Sequence, residues 1–549
     1  MSRLPASDSP AEVVVDVGPL APAEVVAVAR HGARVRLSEA ALEGIAATRR
    51  IIDDLAGDDQ PHYGISTGFG ALATTSIPPQ KRAQLQRSLV RSHAAGSGPE
   101  VEHEVVRALM LLRLSTLATG RTGVRVATAQ AYADLLNAGI TPVVHEHGSL
   151  GCSGDLAPLA SCALAVTGEG MVRVRRPHPG ARGRDARAAD GSAARGHRPA
   201  PRPEEPVPAA EALADAGLAP VQLAEKEGLA LINGTDGMLG MLLLALHDLD
   251  TLLTTADVAA AMSVEGQLGT DDVFAADLQA LRPHPGQGSS AANLRALMAG
   301  SAIRESHRTE ACTRVQDAYS LRCSPQVHGS ARDTCDHAAL VASRELAAAV
   351  DNPVVTLDGR VESNGNFHGA PVAHVLDFLA VVVADVAGIS ERRTDRFLDV
   401  ARSHGLPPFL ADDPGTDSGL MIAQYTQAAV VSELKRLAAP ASVDSIPSSA
   451  MQEDHVSMGW GAARKLRRAV DGLARVLAVE VLTAARALDL RAPLTPAPAT
   501  AAVVALLRGA GVQGPGPDRH LSPEIETVVD LVLDGRVRSA AEEHAGPLT

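Results

Sequence analysis

Residues 465–488 read KLRRAVDGLARVLAVEVLTAARAL, and their apolar side chains recur at helical spacing. The recurring positions are Leu466, Val470, Leu473, Leu477, Val481 and Leu488. This period, with Arg and Glu between the apolar positions, indicates one buried face of a long helix. Four further segments share its length and its Ala/Leu content: 241–262, 335–350, 372–396 and 421–437. We therefore predict a mainly α protein built as a bundle of long helices.

The composition is that of a large globular protein. The chain has 549 residues, of which 46% are hydrophobic and 2% aromatic, and its formal net charge is -14. These values exclude a disordered tail and a small disulfide scaffold. The negative charge disfavours nucleic acid and anionic membranes, because those partners are bound by a basic field. We expect a small-molecule partner, no nucleic acid and no membrane.

The cysteines and the apolar runs bear on the compartment. Five cysteines occur without a CxxC pair, which disfavours a disulfide framework and a zinc ribbon. The sequence begins MSRLPASDSP and lacks the basic-then-apolar pattern of a secretion signal. We find no apolar run that approaches the roughly 18 residues needed to span a bilayer. These patterns favour a cytoplasmic protein.

Turn residues concentrate in the first part of the chain, at 63–70 and 147–155. Both stretches are typical of ordered loops, where functional residues gather. We assign 1–225 to a loop-rich N-terminal region and 226–549 to the long-helix bundle with C-terminal helices. Within the first region, 172–206 is rich in Arg, Pro, Gly and Ala and predicts a flexible insertion, because it buries too little apolar surface.

Four short patterns suggest other chemistry, but each lacks a required part. GFGALA at 68–73 matches a dinucleotide fingerprint yet follows a polar turn rather than a strand. HPGQGSS at 284–290 lacks the Lys-Ser/Thr ending of a phosphate loop. EDH at 453–455 places adjacent residues on different helix faces, so we expect no metal. Ser153 has Gly151 before it but Asp155 after it, which disfavours a hydrolase nucleophile elbow.

The tripeptide Cys152-Ser153-Gly154 can instead cyclise internally. In a tight bend the amide nitrogen of Gly154 can reach the carbonyl carbon of Cys152, and glycine permits that bend because it has no Cβ. Loss of two waters would then turn Ser153 into a dehydroalanine within an imidazolone ring. The side chain of residue 152 takes no part, so cysteine is compatible there.

Seven segments together resemble the aromatic amino acid ammonia-lyase family, and they occur in the family's order. They are YGISTGFG at 63–70, SHAAG at 92–96, GSLGCSGDLAPLA at 148–160, KEGLALINGT at 226–235, VQDAYSLR at 315–322, GNFHG at 365–369 and QEDHVSM at 452–458. The matches span most of the chain, interrupted mainly by the Arg-rich insertion. The resemblance implies the family's long-helix fold, an ammonia-lyase activity, and the electrophile methylidene-imidazolone (MIO), formed autocatalytically from Cys152, Ser153 and Gly154 without an external cofactor.

The resemblance also implies roles for individual residues. Ser153 supplies the electrophilic carbon. Tyr63 takes the β-proton of the substrate, for which the pKa of its phenol must lie below the ordinary ~10. Arg322 binds the substrate carboxylate through its planar fork. Hydrogen bonds to the carboxylate or to developing charge come from Asn233, Gln316 and Tyr319.

Other matched positions belong, by the same resemblance, to the substrate pocket. His93 and Glu453 hold an imidazole, Met421 packs beside it, Phe367 lines the pocket and Asp155 assists ring formation. This combination resembles the family members that convert L-histidine to trans-urocanate and ammonia, the first step of histidine degradation to glutamate. The resemblance further implies a homotetramer whose active sites take residues from several subunits.

Three residues depart from the commoner family pattern: Cys152 stands where Ala is usual, Ser66 where Asn is usual and Asp236 where Gln is usual. The last two leave the substrate preference open. Two alternatives therefore remain. One is another MIO enzyme, either a tyrosine or phenylalanine ammonia-lyase or an aminomutase. The other is a non-catalytic protein that binds phosphates or RNA through the Arg-rich insertion.

Overall fold

The computed structural model describes residues 10–57, 62, 64–68, 76–151, 154–175, 205–308 and 315–549. Helices make up 60% of it, which confirms the predicted mainly α class. The helices are α1 Pro22–His31, α2 Glu39–Ala56, α3 Pro79–His93, α4 His103–Ala118, α5 Val126–Asn137, α6 Leu156–Val166, α7 Ala209–Asp215, α8 Glu227–Ala230, α9 Asp236–Gly266, α10 Ala276–Ala280, α11 Pro285–Leu297, α12 Ala302–Glu305, α13 Tyr319–Arg322, α14 Ser324–Leu346, α15 Ala370–Leu398, α16 Met421–Leu437, α17 Gly459–Asp489, α18 Pro498–Gly509, α19 Ser522–Leu533 and α20 Arg536–Ala545.

The long helices follow the predicted periodicity. The segments at 241–262, 372–396, 421–437 and 465–488 lie in α9, α15, α16 and α17. All six periodic residues of α17 are buried, as one apolar face requires. The segment at 335–350 differs, because α14 begins earlier, at Ser324, and ends at Leu346. Pro325 stands in its first turn, where the missing backbone N–H costs no helical hydrogen bond.

Short strands lie between the helices, most of them in the N-terminal region and the last two within 354–362. They are β1 Glu12–Val15, β2 Arg34–Leu37, β3 Ser97–Glu100, β4 Ile140–Pro142, β5 His145–His147, β6 Met171–Val174, β7 Val207–Pro208, β8 Val354–Val355 and β9 Val361–Glu362. The pair β1–β2 is parallel, whereas β3–β5, β4–β6–β7 and β8–β9 are antiparallel. The first residues of the predicted insertion, 172–174, therefore belong to β6. Its residues 176–204 lie outside the described residues.

The chain forms two compact units, each discontinuous in sequence. The first comprises 1–243, 342–373 and 442–461, and the second comprises 244–341, 374–441 and 462–549. We predicted a single division after residue 225. Four of the five boundaries between the units fall within α9, α14, α15 and α17, and the fifth, between residues 441 and 442, lies in the loop after α16.

Two helices, α9 and α15, are long and apolar enough to cross a membrane by length and composition alone. The expectation that no apolar run reaches this length was therefore wrong. In α9 78% of the most apolar 18-residue window is buried inside the protein, and in α15 61%. This burial is typical of core helices. Such helices are also long and apolar enough to cross a membrane by length and composition, because Ala, Val and Leu fill both their inner and their flanking positions.

Candidate active site

The loop between β5 and α6 carries the matched segment at 148–160, and its glycines hold it in a tight bend. Gly151 and Gly154 have φ of 67° and 81°, in the left-handed region. A Cβ at Gly154 would overlap the backbone of Gly234, and one at Gly151 would overlap the hydroxyl of Ser457. Only glycine fits these two positions, because the neighbouring groups already occupy the space of a side chain. Cys152 and Ser153, between them, lie outside the described residues.

Three residues distant in sequence fix this loop. Ser457 donates its hydroxyl hydrogen to the carbonyl oxygen of Gly151 at 2.7 Å, and the backbone N–H of Gly369 donates to the same oxygen at 3.2 Å. The N–H of Met458 donates to the carbonyl oxygen of Leu150 at 2.8 Å. The matched segments at 365–369 and 452–458 therefore meet the loop at 148–160, as one active site requires.

Asp155 joins the loop to the start of α9. Its Oδ2 accepts hydrogen bonds from the backbone N–H groups of Gly237 and Met238, both at 2.9 Å, and its Oδ1 accepts one from Ser149 Oγ at 2.8 Å. Its own N–H donates to the carbonyl oxygen of Gly234 at 2.7 Å. The carboxyl group thus satisfies N–H groups that the first turn of a helix leaves without partners.

Burial decides the protonation of Asp155. The residue has no solvent exposure, and desolvation raises its pKa to about 7. The hydrogen bonds from Met238, Ser149 and Gly237 oppose this shift, since they stabilise the carboxylate. A group with this pKa gains and loses a proton near neutral pH, which suits the predicted role of assisting ring formation.

Asn233 lies beside the loop and is buried. Its Nδ2 donates to the carbonyl oxygen of Asn352 at 2.9 Å, whereas its Oδ1 meets no hydrogen-bond partner among the described residues. Arg113 donates to the backbone carbonyl oxygen of Asn233 at 2.9 Å. A buried amide with an open oxygen is suited to hold a polar ligand, because an unsatisfied buried acceptor is costly.

Asp236 has a structural partner. Its Oδ2 lies 3.2 Å from Arg113 Nη2, and its Oδ1 accepts a hydrogen bond from Thr116 Oγ1 at 3.4 Å. Burial raises the pKa of Asp236, and the charge of Arg113 opposes that rise. The sequence left open whether Asp236 affects substrate preference. In the structure its carboxylate pairs with the buried guanidinium of Arg113.

Sequence reasoning gave no role to Lys226 or Asp351, although Lys226 begins a matched segment. Their side chains are fully buried and form an ion pair at 2.5 Å, and Lys226 Nζ also donates to the carbonyl oxygen of Thr122 at 2.8 Å. Asp351 precedes Asn352, whose carbonyl oxygen receives the hydrogen bond of Asn233. The pair therefore fixes the chain that orients Asn233. Charges so far apart in sequence leave no local pattern that could have revealed it.

His93 and Glu453, predicted to hold an imidazole, lie close enough to interact electrostatically. Burial lowers the pKa of His93, while the carbonyl of Leu89 and the charge of Glu453 act in the opposite direction. His93 Nδ1 lies 2.9 Å from the carbonyl oxygen of Leu89, so that nitrogen carries the hydrogen of the neutral ring. Nε2 is then left as an acceptor. Ser448 donates to Glu453 Oε2 at 3.2 Å.

Phe367 is half-buried in the same unit. The imidazole rings of its neighbour His368 and of His455 stack, with centroids 5.5 Å apart. His455 Nδ1 lies 3.4 Å from His368 Nε2. Neither histidine was assigned a role from the sequence, although both stand inside matched segments.

The second unit holds Gln316, Tyr319, Arg322 and Met421. The guanidinium of Arg322 lies 4.8 Å from the centroid of the Tyr319 ring, a cation–π contact. Tyr319 is 72% exposed, and Arg322 Nε is buried without a hydrogen-bond partner among the described residues. Met421 begins α16 and lines a cavity of about 310 Å³ together with Phe409, Leu398 and Tyr425.

Tyr63 lies outside the described residues, but part of its loop is described. The hydroxyl oxygen of Ser66 accepts a hydrogen bond from the N–H of His62 at 2.9 Å, and the N–H of Ser66 donates to the carbonyl oxygen of His62 at 2.9 Å. Ser66 is buried, and its two hydrogen bonds with His62 close this turn. A serine can thus replace the commoner asparagine, because both side chains accept such a bond.

Known proteins resemble this chain across the segments described above. The model of the aromatic amino acid lyase family matches residues 20–509. The chain is 63% identical over 538 residues to a histidine ammonia-lyase of Streptomyces griseus, a match that covers 98% of this chain and 99% of the relative.

Solved structures of similar proteins superpose on this chain. A histidine ammonia-lyase of Trypanosoma cruzi superposes with a TM-score of 0.84 at 36% identity, covering 97% of this chain and 95% of the other. A tyrosine aminomutase from Streptomyces globisporus superposes with a TM-score of 0.87 at 35% identity, covering 98% of this chain and 100% of the other.

Proposed function

The chain belongs to the aromatic amino acid lyase family, and from that premise we propose that it eliminates ammonia from L-histidine to give trans-urocanate. The choice of substrate rests on Glu453 and His93, because the charge of Glu453 acts on the pKa of the His93 ring. An imidazole has one N–H donor and one nitrogen acceptor, and a carboxylate can bind its N–H. Relatives called histidine ammonia-lyase match nearly the whole chain, which supports the same substrate.

We propose that Cys152, Ser153 and Gly154 form MIO autocatalytically. The described neighbours fit this group: Gly154 bends back against Gly234, and Asp155 carries a proton that is exchangeable near neutral pH. When formed, the group supplies an electrophilic carbon for the amino group of the substrate. Asp155 assists the cyclisation by moving protons to and from the neighbouring backbone.

The remaining roles belong to side chains of this protein. Arg322 binds the substrate carboxylate with two charge-assisted hydrogen bonds, and Glu453 with His93 orients the imidazole. Tyr63 removes the β-proton as general base. Polar contacts to the carboxylate or to developing charge come from Asn233, Gln316 and Tyr319, and apolar contacts from Phe367 and Met421.

The expectations for partners and compartment stay as proposals. We propose a cytoplasmic homotetramer that binds neither nucleic acid nor membrane, and that completes its active sites with residues of several subunits. The exposed ring of Tyr319, which also contacts Arg322, is consistent with covering by another copy.

The test is the rise in ultraviolet absorption from urocanate when the purified protein meets L-histidine. Ser153→Ala serves as the matched variant, with L-tyrosine and L-phenylalanine as alternative substrates. A signal with L-histidine that Ser153→Ala abolishes supports the proposal. No signal with L-histidine, together with turnover of another amino acid, contradicts the substrate and leaves the family unchanged.

A second candidate is an aminomutase, since a tyrosine aminomutase structure superposes on the whole chain. The discriminating measurement is product analysis by chromatography after incubation with L-histidine and L-tyrosine. A β-amino acid as the main product supports the aminomutase, and free ammonia with the unsaturated acid supports the lyase.

A further inference from the structure

Arg393, on α15, is fully buried and connects two parts of the second unit. On one side its Nε and Nη2 donate to the two carboxylate oxygens of Glu480 on α17, at 2.5 and 2.9 Å. On the other side its Nη1 donates to the backbone carbonyl oxygen of Ser320 at 3.4 Å and to Ser324 Oγ at 3.3 Å. One guanidinium thus links a buried carboxylate to the turn of α13.

The carboxylate of Glu480 accepts hydrogen bonds from several side chains. Its Oε1 also accepts a hydrogen bond from Ser263 Oγ on α9 at 2.7 Å, and its Oε2 accepts one from Ser390 Oγ on α15 at 2.6 Å. Both oxygens therefore have two donors each. A carboxylate satisfied in this way cannot turn, so it fixes the plane and the position of the guanidinium of Arg393.

The segment 315–322 has one anchored face and one open face. Asp317 and Leu321 are buried, and Asp317 Oδ2 accepts a hydrogen bond from the backbone N–H of Thr270 at 2.7 Å. In contrast, Gln316 and Tyr319 are exposed. The bonds from Arg393 and Thr270 therefore reach the segment on the side away from the groups that contact substrate in our proposed function.

Stability alone does not explain this pair. Desolvation of a buried Arg and Glu offsets most of their attraction, and apolar side chains of similar size can join two helices equally well. What apolar side chains cannot do is donate a hydrogen bond to the carbonyl oxygen of Ser320. That oxygen lies two residues before Arg322 and also accepts a hydrogen bond from Ser324 Oγ at 3.2 Å, so Arg393 and Ser324 together hold the turn of α13 that carries Arg322.

We propose that Arg393 and Glu480 are a positioning pair for Arg322, and that they set the affinity of the active site for the carboxylate group of the substrate. The inference rests on the proposed role of Arg322. Arg393 itself acts through the turn of α13, and neither member of the pair needs to touch the substrate.

The test compares two ligands that share an imidazole and a two-carbon chain but differ in the group at its end. Imidazolepropionate carries a carboxylate there, whereas histamine carries an ammonium, and calorimetric titration gives the Kd of each for the full-length protein. We expect Arg393→Lys to raise the Kd of imidazolepropionate about tenfold, because an ammonium cannot serve Glu480 and Ser320 together. The Kd of histamine should change less than about threefold.

Asp377→Asn is the matched control. Asp377 pairs with Lys465 and thereby joins the same two helices, α15 and α17. It should leave both Kd values within about threefold of the wild type. An equal loss for both ligands in Arg393→Lys, or no loss for either, overturns the positioning role.

A second variant covers the case in which Arg393→Lys does not fold. Ser324→Ala removes one partner of Arg393, together with the bonds from Ser324 Oγ to the carbonyl oxygens of Ser320 and Leu321 at 3.2 and 3.0 Å, without leaving a charge unpaired. We expect a loss of about threefold in the affinity for imidazolepropionate alone. No selective loss there overturns the inference. Turnover of L-histidine by the same wild-type preparation is measured in parallel, so a wrong substrate assignment is recognised separately from a wrong assignment of Arg393 and Glu480.

Discussion

Ser457 and Gly151, separated by 306 positions in the sequence, are joined by a hydrogen bond of 2.7 Å from the serine hydroxyl to the glycine carbonyl oxygen. This bond ties the loop of residues 148–155 to the segment that begins α17. The left-handed backbone at Gly151 and Gly154 depends on such ties, because a free loop would populate many other conformations.

Ser457→Ala removes the stronger of the two donors to Gly151 and should slow the formation of the internal electrophile. Intact-mass spectrometry of freshly purified protein measures this directly, since each modified chain lacks two waters. We expect a larger unmodified fraction than in the wild type, and a loss of stability of about 1 kcal/mol. Ser449→Ala, at an exposed serine nearby in sequence, is the control. A fully modified Ser457→Ala protein would contradict the role of this bond.

Asp155→Asn should change the dependence of stability on pH. The pKa of Asp155 is raised from 3.8 to about 7, so the folded state holds this proton more tightly than the unfolded state. The contribution is complete below pH 4 and is lost as the pH rises towards 7, with a size on the order of 3 kcal/mol. Asparagine cannot ionise, so the free energy of unfolding should fall less over this window. Identical slopes in denaturant titrations at pH 4 to 7 would refute the raised pKa.

Glu453→Gln should lower kcat/KM for L-histidine at least about tenfold, because an amide lacks the charge that binds the imidazole N–H. The selectivity ratio between L-histidine and L-phenylalanine should fall in parallel. Asp454→Asn removes a neighbouring exposed carboxylate and should leave both values unchanged. Steady-state kinetics on both substrates measure these values. An unchanged selectivity ratio in Glu453→Gln would argue against a role of Glu453 in binding the imidazole.

Lys226→Met should destabilise the protein by about 3–5 kcal/mol, because it leaves Asp351 as an unpaired buried carboxylate. Denaturant unfolding measures the loss. Lys81→Met, at an exposed lysine, should change the free energy of unfolding by less than about 0.5 kcal/mol. Adding Asp351→Leu to Lys226→Met should recover part of the stability. A double variant no more stable than the single one would show that the pair contributes packing rather than paired charge.

The helices and the composition of the site were predictable for different reasons. The apolar period of 465–488 is local, so α17 could be read directly. The site residues were found through seven matched segments, and contacts such as Gly369 to Gly151 confirm that segments distant in sequence meet.

The pairs Arg113–Asp236, Lys226–Asp351 and Arg393–Glu480 could not be predicted. Each joins charges from separate helices or loops, and no spacing along the chain links the two partners. Four of the five unit boundaries fall inside uninterrupted helices, so no break in secondary structure marks them. The start of α14 was placed too late because its first turns are polar and lack the apolar period.

The contact of Gly154 with Gly234 determines what must accompany the tripeptide if its chemistry is transferred to another protein. Grafting residues 152–154 onto a foreign scaffold would not be sufficient, because the bend exists only against a second backbone that carries no side chain. A transplant would have to include the turn at Gly234 and the first turn of α9, with Asp155 bound to its amides. The smallest transferable module is therefore a two-part assembly, residues 152–155 and residues 234–238, drawn from separate regions of the chain.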